Sequence, residues 1–237
     1  MKDFVFFVNK KGYQIKNFPD KDLKNRMKMI HYYNINTVFD IGANDGGFAK
    51  QMRKIGFKGK MVSFEPLKSV YKVLEKISSK DEHWTVKNYA LGNEDAKGMI
   101  NVAGNSYSSS LLNMLPAHLK SAPQSKYIAQ EEIEIKKIDT IFDEFCTKDD
   151  QVMVKIDTQG FEKNVIDGAL DSLKKIKILQ LEMSLVPLYE SEMLYMDMIN
   201  YLDHKGFQLF ALENGFAEPT TGGLLQIDGI FINRLLL

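Results

Sequence analysis

Two segments of this chain each read as a buried strand that breaks into a glycine turn and then a helix. The first is Thr37-Val-Phe-Asp-Ile-Gly-Ala-Asn-Asp-Gly-Gly-Phe48, and the second is Val154-Lys-Ile-Asp-Thr-Gln-Gly-Phe-Glu162. Turns of this kind lie at the carboxyl ends of parallel strands, where open α/β sheets bind nucleotide-like ligands. Glycine lets the backbone take conformations closed to other residues and lets a ligand approach the main chain. The acidic neighbours Asp40, Asp45, Glu65 and Asp157 are a poor lining for a pyrophosphate. S-adenosylmethionine carries an ammonium and a sulfonium and no phosphate, so the charge pattern favours it over a dinucleotide.

The rest of the sequence supports an α/β sheet. A chain of 237 residues with 44% hydrophobic content can bury one substantial core as a single domain over 1–237. Val38–Ile41, Lys60–Phe64, Trp84–Ala90, Gln151–Ile156 and Ile178–Met183 read as strands. They alternate with helices at Gly46–Ile55, Leu67–Ile77, Glu162–Leu173 and Met193–His204, the pattern of a parallel sheet. Phe207–Leu212 and Ile227–Asn233 close the series. Residues 1–36 read as a small hairpin (Phe4–Val8 with Tyr13–Phe18) and a helix capped by Asp20 that runs to about Tyr33. Between 93 and 137 the alternation fails. This polar excursion holds strands at Met99–Val102 and Glu132–Ile138 and a short helix at Leu111–Leu119, and such an insert suits a lid or an acceptor-binding segment.

Balanced charge, +0 at neutral pH, gives no global pull toward nucleic acid. No apolar run reaches the length of a membrane span. The single cysteine, Cys146, suits a reducing compartment, and the expected location is cytoplasmic.

Several residues carry candidate chemistry. Gly42 makes the first turn, with Asn44 and Gly46 running against the ligand's amino-acid end and Asp40 placed to accept from an ammonium. Glu65, ending the second strand about twenty residues on, can meet two vicinal ribose hydroxyls with its two oxygens, and Pro66 stops the strand there. Asn88 and Ala90 leave the third strand where an adenine would lie. Asp157 and Glu182 end neighbouring strands. They can hold a divalent cation such as Mg or Mn or orient and deprotonate a hydroxyl. Glu182 can instead pair with Lys155 or Lys163. Ser108, Ser109, Ser110 and His118 lie in the excursion, where they can reach an acceptor. Cys146 has no histidine near it in sequence and reads as a half-buried helix residue.

Taken together these residues resemble the FkbM-type family of S-adenosylmethionine-dependent class I methyltransferases. The matching blocks are Val38–Phe48, Phe64-Glu-Pro66, Asn88-Tyr-Ala-Leu-Gly92, Ser108-Ser-Ser-Leu111, Ile138-Asp-Thr140, Lys155–Glu162, Glu182 and Asp228-Gly-Ile-Phe231. Several blocks in one order are more specific than any one alone. The resemblance implies a Rossmann-like seven-stranded sheet, mostly parallel, with helices on both faces and the last strand antiparallel. It also implies O-methylation of a small-molecule or glycan acceptor, on a hydroxyl of a sugar, glycan or natural product. Gln159 stands where many relatives have an acidic residue. Two other functions fit the same turn: a catalytically silent S-adenosylmethionine-binding protein, and a nicotinamide-dependent oxidoreductase. The latter needs a glycine where this chain has Asn44.

Overall fold

The computed structural model of the protein describes residues 19–236. In chain order, α1 (Lys21–Tyr32) leads into β1 (Thr37–Ile41), α2 (Gly47–Lys54), β2 (Lys60–Phe64), α3 (Lys68–Ser78) and β3 (Trp84–Lys87). Then come β4 (Ala90–Leu91), β5 (Ala96–Ala103), α4 (Pro116–Ser121), β6 (Tyr127–Lys136) and α5 (Ile138–Phe145). The chain ends with β7 (Val152–Ile156), α6 (Glu162–Asp167), β8 (Ile176–Ser184), α7 (Tyr195–His204), β9 (Phe207–Asn214) and β10 (Gln226–Asn233). The hairpin expected at Phe4–Val8 and Tyr13–Phe18 lies outside the described residues.

Seven strands form one sheet in the order β3-β2-β1-β7-β8-β10-β9. The first five run parallel, and β10 inserts antiparallel between β8 and β9. This is the architecture implied by the resemblance. Every residue of β1 and β7 is buried, as strands covered by helices on both faces must be. Alternation sends Phe39, Ile41, Val154 and Ile156 to one face, against Phe142 of α5 and Val165 and Ile166 of α6. Val38 and Met153 point to the other, against Met29 and Ile30 of α1 and Met52 of α2. The Asp20 side chain accepts from the Leu23 amide and starts α1.

Three sequence readings shift. The expected strand Trp84–Ala90 is two: β3 stays in the main sheet, while β4 pairs with β6 in a second, three-stranded sheet ordered β4-β6-β5. The break falls at Asn88, whose side-chain amide donates to the carbonyls of Glu65 and Pro66 at 2.9 Å each. The short helix starts at Pro116 rather than Leu111, because proline suits the first helical position. The helix expected over Glu162–Leu173 stops at Asp167, and Ser172–Lys175 forms a separate 3₁₀ turn.

The sheet order reverses between β1 and β7, and the turns after them come very close. Gly42 has φ +72, and a Cβ there would sit 1.9 Å from the Asp157 carbonyl oxygen. Gly56 also has a positive φ, +103, but a Cβ there would meet nothing within 4 Å. Both alanine variants carry backbone strain of about 1–2 kcal/mol, and only Gly42→Ala adds an overlap. Urea denaturation is expected to show Gly42→Ala losing about 1–3 kcal/mol more than Gly56→Ala. Equal losses would mean that the two turns can part without cost.

Candidate functional site

A pocket opens at this reversal point. Its lining includes Gly42, Glu65, Ala90, Leu91, Asp157 and Phe161 and, among the described residues, no lysine, arginine or histidine. Glu65, 4% exposed, is fixed by two main-chain amides: Oε2 accepts from Asn44 N–H at 2.9 Å and Oε1 from Leu67 N–H at 2.8 Å. Burial pushes its carboxyl up to about 7, against the lowering effect of those two bonds. Each oxygen keeps a lone pair for a further donor. Asn44 holds a left-handed conformation, φ 45, and its amide reaches Ser106 Oγ at 3.2 Å. It thereby ties the first turn to the polar loop.

Under the pocket floor lies a buried charge cluster that sequence reasoning missed. The parallel register sets Asp40 opposite Lys155. Lys155 Nζ lies 3.3 Å from Asp40 Oδ1 and 3.3 Å from Asp157 Oδ2. Asp40 is fully buried and absent from the pocket lining. The expected contact between Asp40 and a ligand ammonium is therefore replaced by a lysine of the chain itself. A signal was present: aligning the two strand ends residue by residue puts Asp40-Ile41-Gly42 beside Lys155-Ile156-Asp157.

Asp157 and Glu182 are joined through Gln159. Its Nε2 donates to Asp157 Oδ1 at 2.9 Å and to Glu182 Oε2 at 2.7 Å, and its Oε1 accepts from the Tyr189 hydroxyl at 2.7 Å. Gln226 adds a second amide donor to Glu182 Oε2 at 2.7 Å. Burial first, then the charges of Asp157, Glu162 and Asp228, push the Glu182 carboxyl well above its ordinary range. Neither lysine proposed for Glu182 pairs with it: Lys155 serves Asp40 and Asp157, and Lys163 serves Asp167. The bridging cation also fails to fit. An N–H donor occupies the position between the two carboxylates, and among the described residues no group of three or more His, Cys, Asp or Glu could hold a metal ion.

A family model, the methyltransferase FkbM domain, matches residues 40–209. The chain belongs to the FkbM methyltransferase family. Among curated proteins none matches its sequence. Of solved structures, an FkbM methyltransferase from Methylobacillus flagellatus KT is 13% identical with a TM-score of 0.48. The match covers 83% of this chain and 44% of that one, so this chain spans less than half of that protein's length. A "putative RNA methyltransferase" from Pyrococcus horikoshii is 12% identical with a TM-score of 0.47, covering 98% and 97% of the two chains. A SAM-dependent methyltransferase from Aquifex aeolicus is 11% identical with a TM-score of 0.44, covering 87% and 88%.

The family implies S-adenosylmethionine, and the pocket residues fit it. Glu65 and Asp157 suit a cationic ligand, and Ala90, Leu91 and Phe161 offer a base an apolar wall. The oxidoreductase alternative gives way to the family assignment.

The remaining expected residues of this FkbM methyltransferase divide by position. Gly42, Asn44, Glu65, Pro66, Ala90, Ser109, Ser110 and Asp157 line the pocket. Gly46 does not: a Cβ there would press on Leu74 and Trp84, so its place is in the core. Asn88 is likewise outside the lining and positions the Glu65–Pro66 main chain. Ser110 donates to the Gln159 carbonyl at 2.7 Å, and Ser109 Oγ accepts from the Ala103 amide. Ser108, His118 and Glu182 face an adjoining chamber. Cys146 is buried at the end of α5 with its thiol pushed up to about 12 by burial, which leaves it unreactive. Among the described residues no helix is long and apolar enough to cross a membrane.

Lys155→Met tests the buried cluster. Removing one partner of a buried pair typically costs about 3–5 kcal/mol. Burial already raises Asp40 above its ordinary value, and loss of Lys155 raises it further. The folded state then holds that proton more tightly than the unfolded chain, so stability is retained at low pH and lost as pH rises through the folded pKa. The deficit in urea denaturation is expected to be larger at pH 8 than at pH 5, and Asp40→Asn with Lys155→Met should remove that pH dependence. A deficit equal at both pH values would mean that Asp40 does not depend on Lys155 for its charge.

Proposed function

We propose that this FkbM methyltransferase methylates a hydroxyl oxygen, on a sugar, a glycan or a natural product. The observation that supports it is the position of Asp157. Asp157 lines the pocket with a side chain 37% exposed, whereas Asp40 and Glu182 are absent from that lining, and Lys155 holds Asp157 from below. S-adenosylmethionine, when bound, supplies an electrophilic methyl group on a sulfonium. An alcohol is a weak nucleophile at neutral pH, so the chain must orient it and take its proton. Asp157 fills both roles. Gln159 keeps one oxygen of Asp157 in place, leaving the carboxylate aimed by an amide and an ammonium. Glu182, in the adjoining chamber, faces the acceptor side. Glu65 grips the ribose hydroxyls, and Ala90, Leu91 and Phe161 wall the base. The segment 93–137 covers the pocket through Ser106, Tyr107, Ser109 and Ser110 and excludes water during transfer.

Asp157→Asn keeps the size and hydrogen bonding but cannot accept the proton. Turnover with S-adenosylmethionine is expected to fall about 10²–10⁴-fold, with cofactor affinity little changed. A near-normal rate in the folded variant would remove Asp157 from the chemistry.

Affinity for S-adenosylhomocysteine should report on Glu65. Glu65→Gln is expected to weaken it by about 1–3 kcal/mol. The carboxyl titrates at about 7, and its ionised form is the better acceptor for two hydroxyls. Affinity should therefore fall as pH drops below about 7, and hold level above it. Calorimetric titration of the wild type against Glu65→Gln separates this from other groups, because the variant should lose the pH dependence. A slope that survives in the variant would place the titrating group elsewhere.

A further inference from the structure

The main sheet separates two sets of helices of opposite charge. α1, α2 and α3 bury Met29, Met52 and Leu74 into one face, and α5, α6 and α7 bury Phe142, Val165 and Met198 into the other. α2 holds no acidic residue, and α1 and α3 hold one each, Asp22 and Glu75. On the opposite side α5 holds Asp139, Asp143 and Glu144 with no basic residue, and α7 holds Asp197 and Asp203 with no lysine or arginine. The net charge of +0 therefore conceals a basic face and an acidic one.

The lysines of the basic face are arranged in stripes. α1 carries Lys24 and Lys28 four residues apart, with Lys21 three residues before them. α2 carries Lys50 and Lys54, and α3 carries Lys68, Lys72 and Lys76, each four residues from the next. Residues four apart are neighbours on a helix surface, and all of these lysines are exposed. Like charges at that spacing destabilise a helix, so the stripes do not serve to hold the helices together. Nearby acids do not neutralise them either. Glu75 accepts from the Tyr71 hydroxyl, Asp81 pairs with Arg53, and Asp45 pairs with Lys50. Among the described residues, Lys24, Lys28, Lys68, Lys72 and Lys76 have no ion-pair partner.

The chemistry of the face selects among polyanions. Nucleic acid is gripped by arginine forks and by aromatic platforms. Both arginines on these helices are committed: Arg26 to Glu213, and Arg53 to Asp81 and the carbonyls of Phe57 and Gly59. What remains is lysine, a compact point charge on a flexible apolar stem. Beside Lys72 stands Val73, 52% exposed, and near the end of α1 stands Tyr32, 79% exposed. An anionic bilayer matches this mixture, because its headgroups attract the ammoniums and its interface takes valine and tyrosine side chains.

We propose that the face formed by α1, α2 and α3 docks peripherally on an anionic lipid bilayer. The acidic helices α5, α6 and α7 then face away from it. The cofactor pocket opens at the carboxyl edge of the sheet rather than on either face, so docking leaves it open.

Sedimentation of the full chain with vesicles tests this without turnover. Phosphatidylcholine vesicles containing phosphatidylserine should carry the protein down at low salt, and pure phosphatidylcholine vesicles should not. Raising the salt should release it, because screening shortens the reach of the lysines. In Lys72→Glu with Lys76→Glu the lipid concentration needed should rise at least about tenfold, and Lys24→Glu with Lys28→Glu should act likewise. Lys126→Glu with Lys148→Glu makes the same change in net charge at exposed lysines outside these helices, and should stay within about twofold of the wild type. Circular dichroism melts check that each variant is folded, and the two helices are altered separately so that either one can decide. Equal sedimentation with both kinds of vesicle overturns the proposal, as does no sedimentation with either, or an equal loss in the variant of Lys126 and Lys148. Binding to a duplex RNA that is tighter than to the vesicles and lost in the helix variants would assign the face to nucleic acid. Self-association lost in them, seen by light scattering, would assign it to the acidic helices of a second copy, and either result overturns the proposal.

Discussion

The site depends on one buried lysine. Lys155 stands on β7 opposite Asp40 of β1, and it reaches Asp157 two residues further on, just past the end of the strand. Without it, two carboxylates would face each other at the closest approach of two strand ends. An uncompensated buried carboxylate is expensive, and a pair of them repels. With it, the ends of β1 and β7 can meet closely enough that only glycine fits at position 42. The Lys155 ammonium also lies 3.4 Å from the Gly42 carbonyl. A single cation therefore fixes the floor of the pocket, the first turn and the carboxylate assigned to the reaction. The register of two parallel strands makes that arrangement possible, because it places Asp40 and Lys155 side by side.

Beyond that lysine the site is acidic. Glu182 pairs across the antiparallel ladder with Asp228, another carboxyl, and burial pushes Asp228 up to about 6. Glu162, buried behind the second turn, accepts from the amide and hydroxyl of Thr158, and burial raises it to about 7. The protein resolves this crowding with neutral donors: main-chain amides for Glu65 and Glu162, and the side-chain amides of Gln159 and Gln226 for Glu182. A cationic ligand relieves such a site, whereas a pyrophosphate would worsen it. Gln159 matters here because its amide is neutral. A carboxylate in its place would put a third acid within hydrogen-bond distance of Asp157 and Glu182.

Much of the fold was legible because hydrophobic runs, glycine turns and helix caps are local. The two strand-to-turn breaks and the parallel series follow from short stretches read in order, whereas the antiparallel direction of the final strand came only from the family resemblance. Two of the misplaced boundaries share a cause, which is that each is decided by a contact distant in sequence. Asn88 leaves the sheet because its amide is claimed by Glu65 and Pro66. The helix after Glu162 stops near Gly168, where a Cβ would lie 1.9 Å from the Gly92 carbonyl oxygen. Neither fact is visible in a window of ten residues.

The same distinction separates the site residues that were readable from those that were not. Glu65 and Gly42 announce themselves by type and position at a strand end. Asp40 has the same signature, yet its partner is decided by the neighbouring strand, and a carboxylate aimed at a ligand looks identical in sequence to one aimed at a lysine. Gln159 is the harder case. Its role comes from a left-handed backbone, φ 57, that turns its amide toward two carboxylates from different strands and toward Tyr189. Tyr189 is itself placed by Glu192, whose side chain accepts from the amides of Leu188 and Tyr189. The partition between the two cavities is thus assembled from β7, β8 and the loop that follows β8, and only the folded sheet brings its parts together.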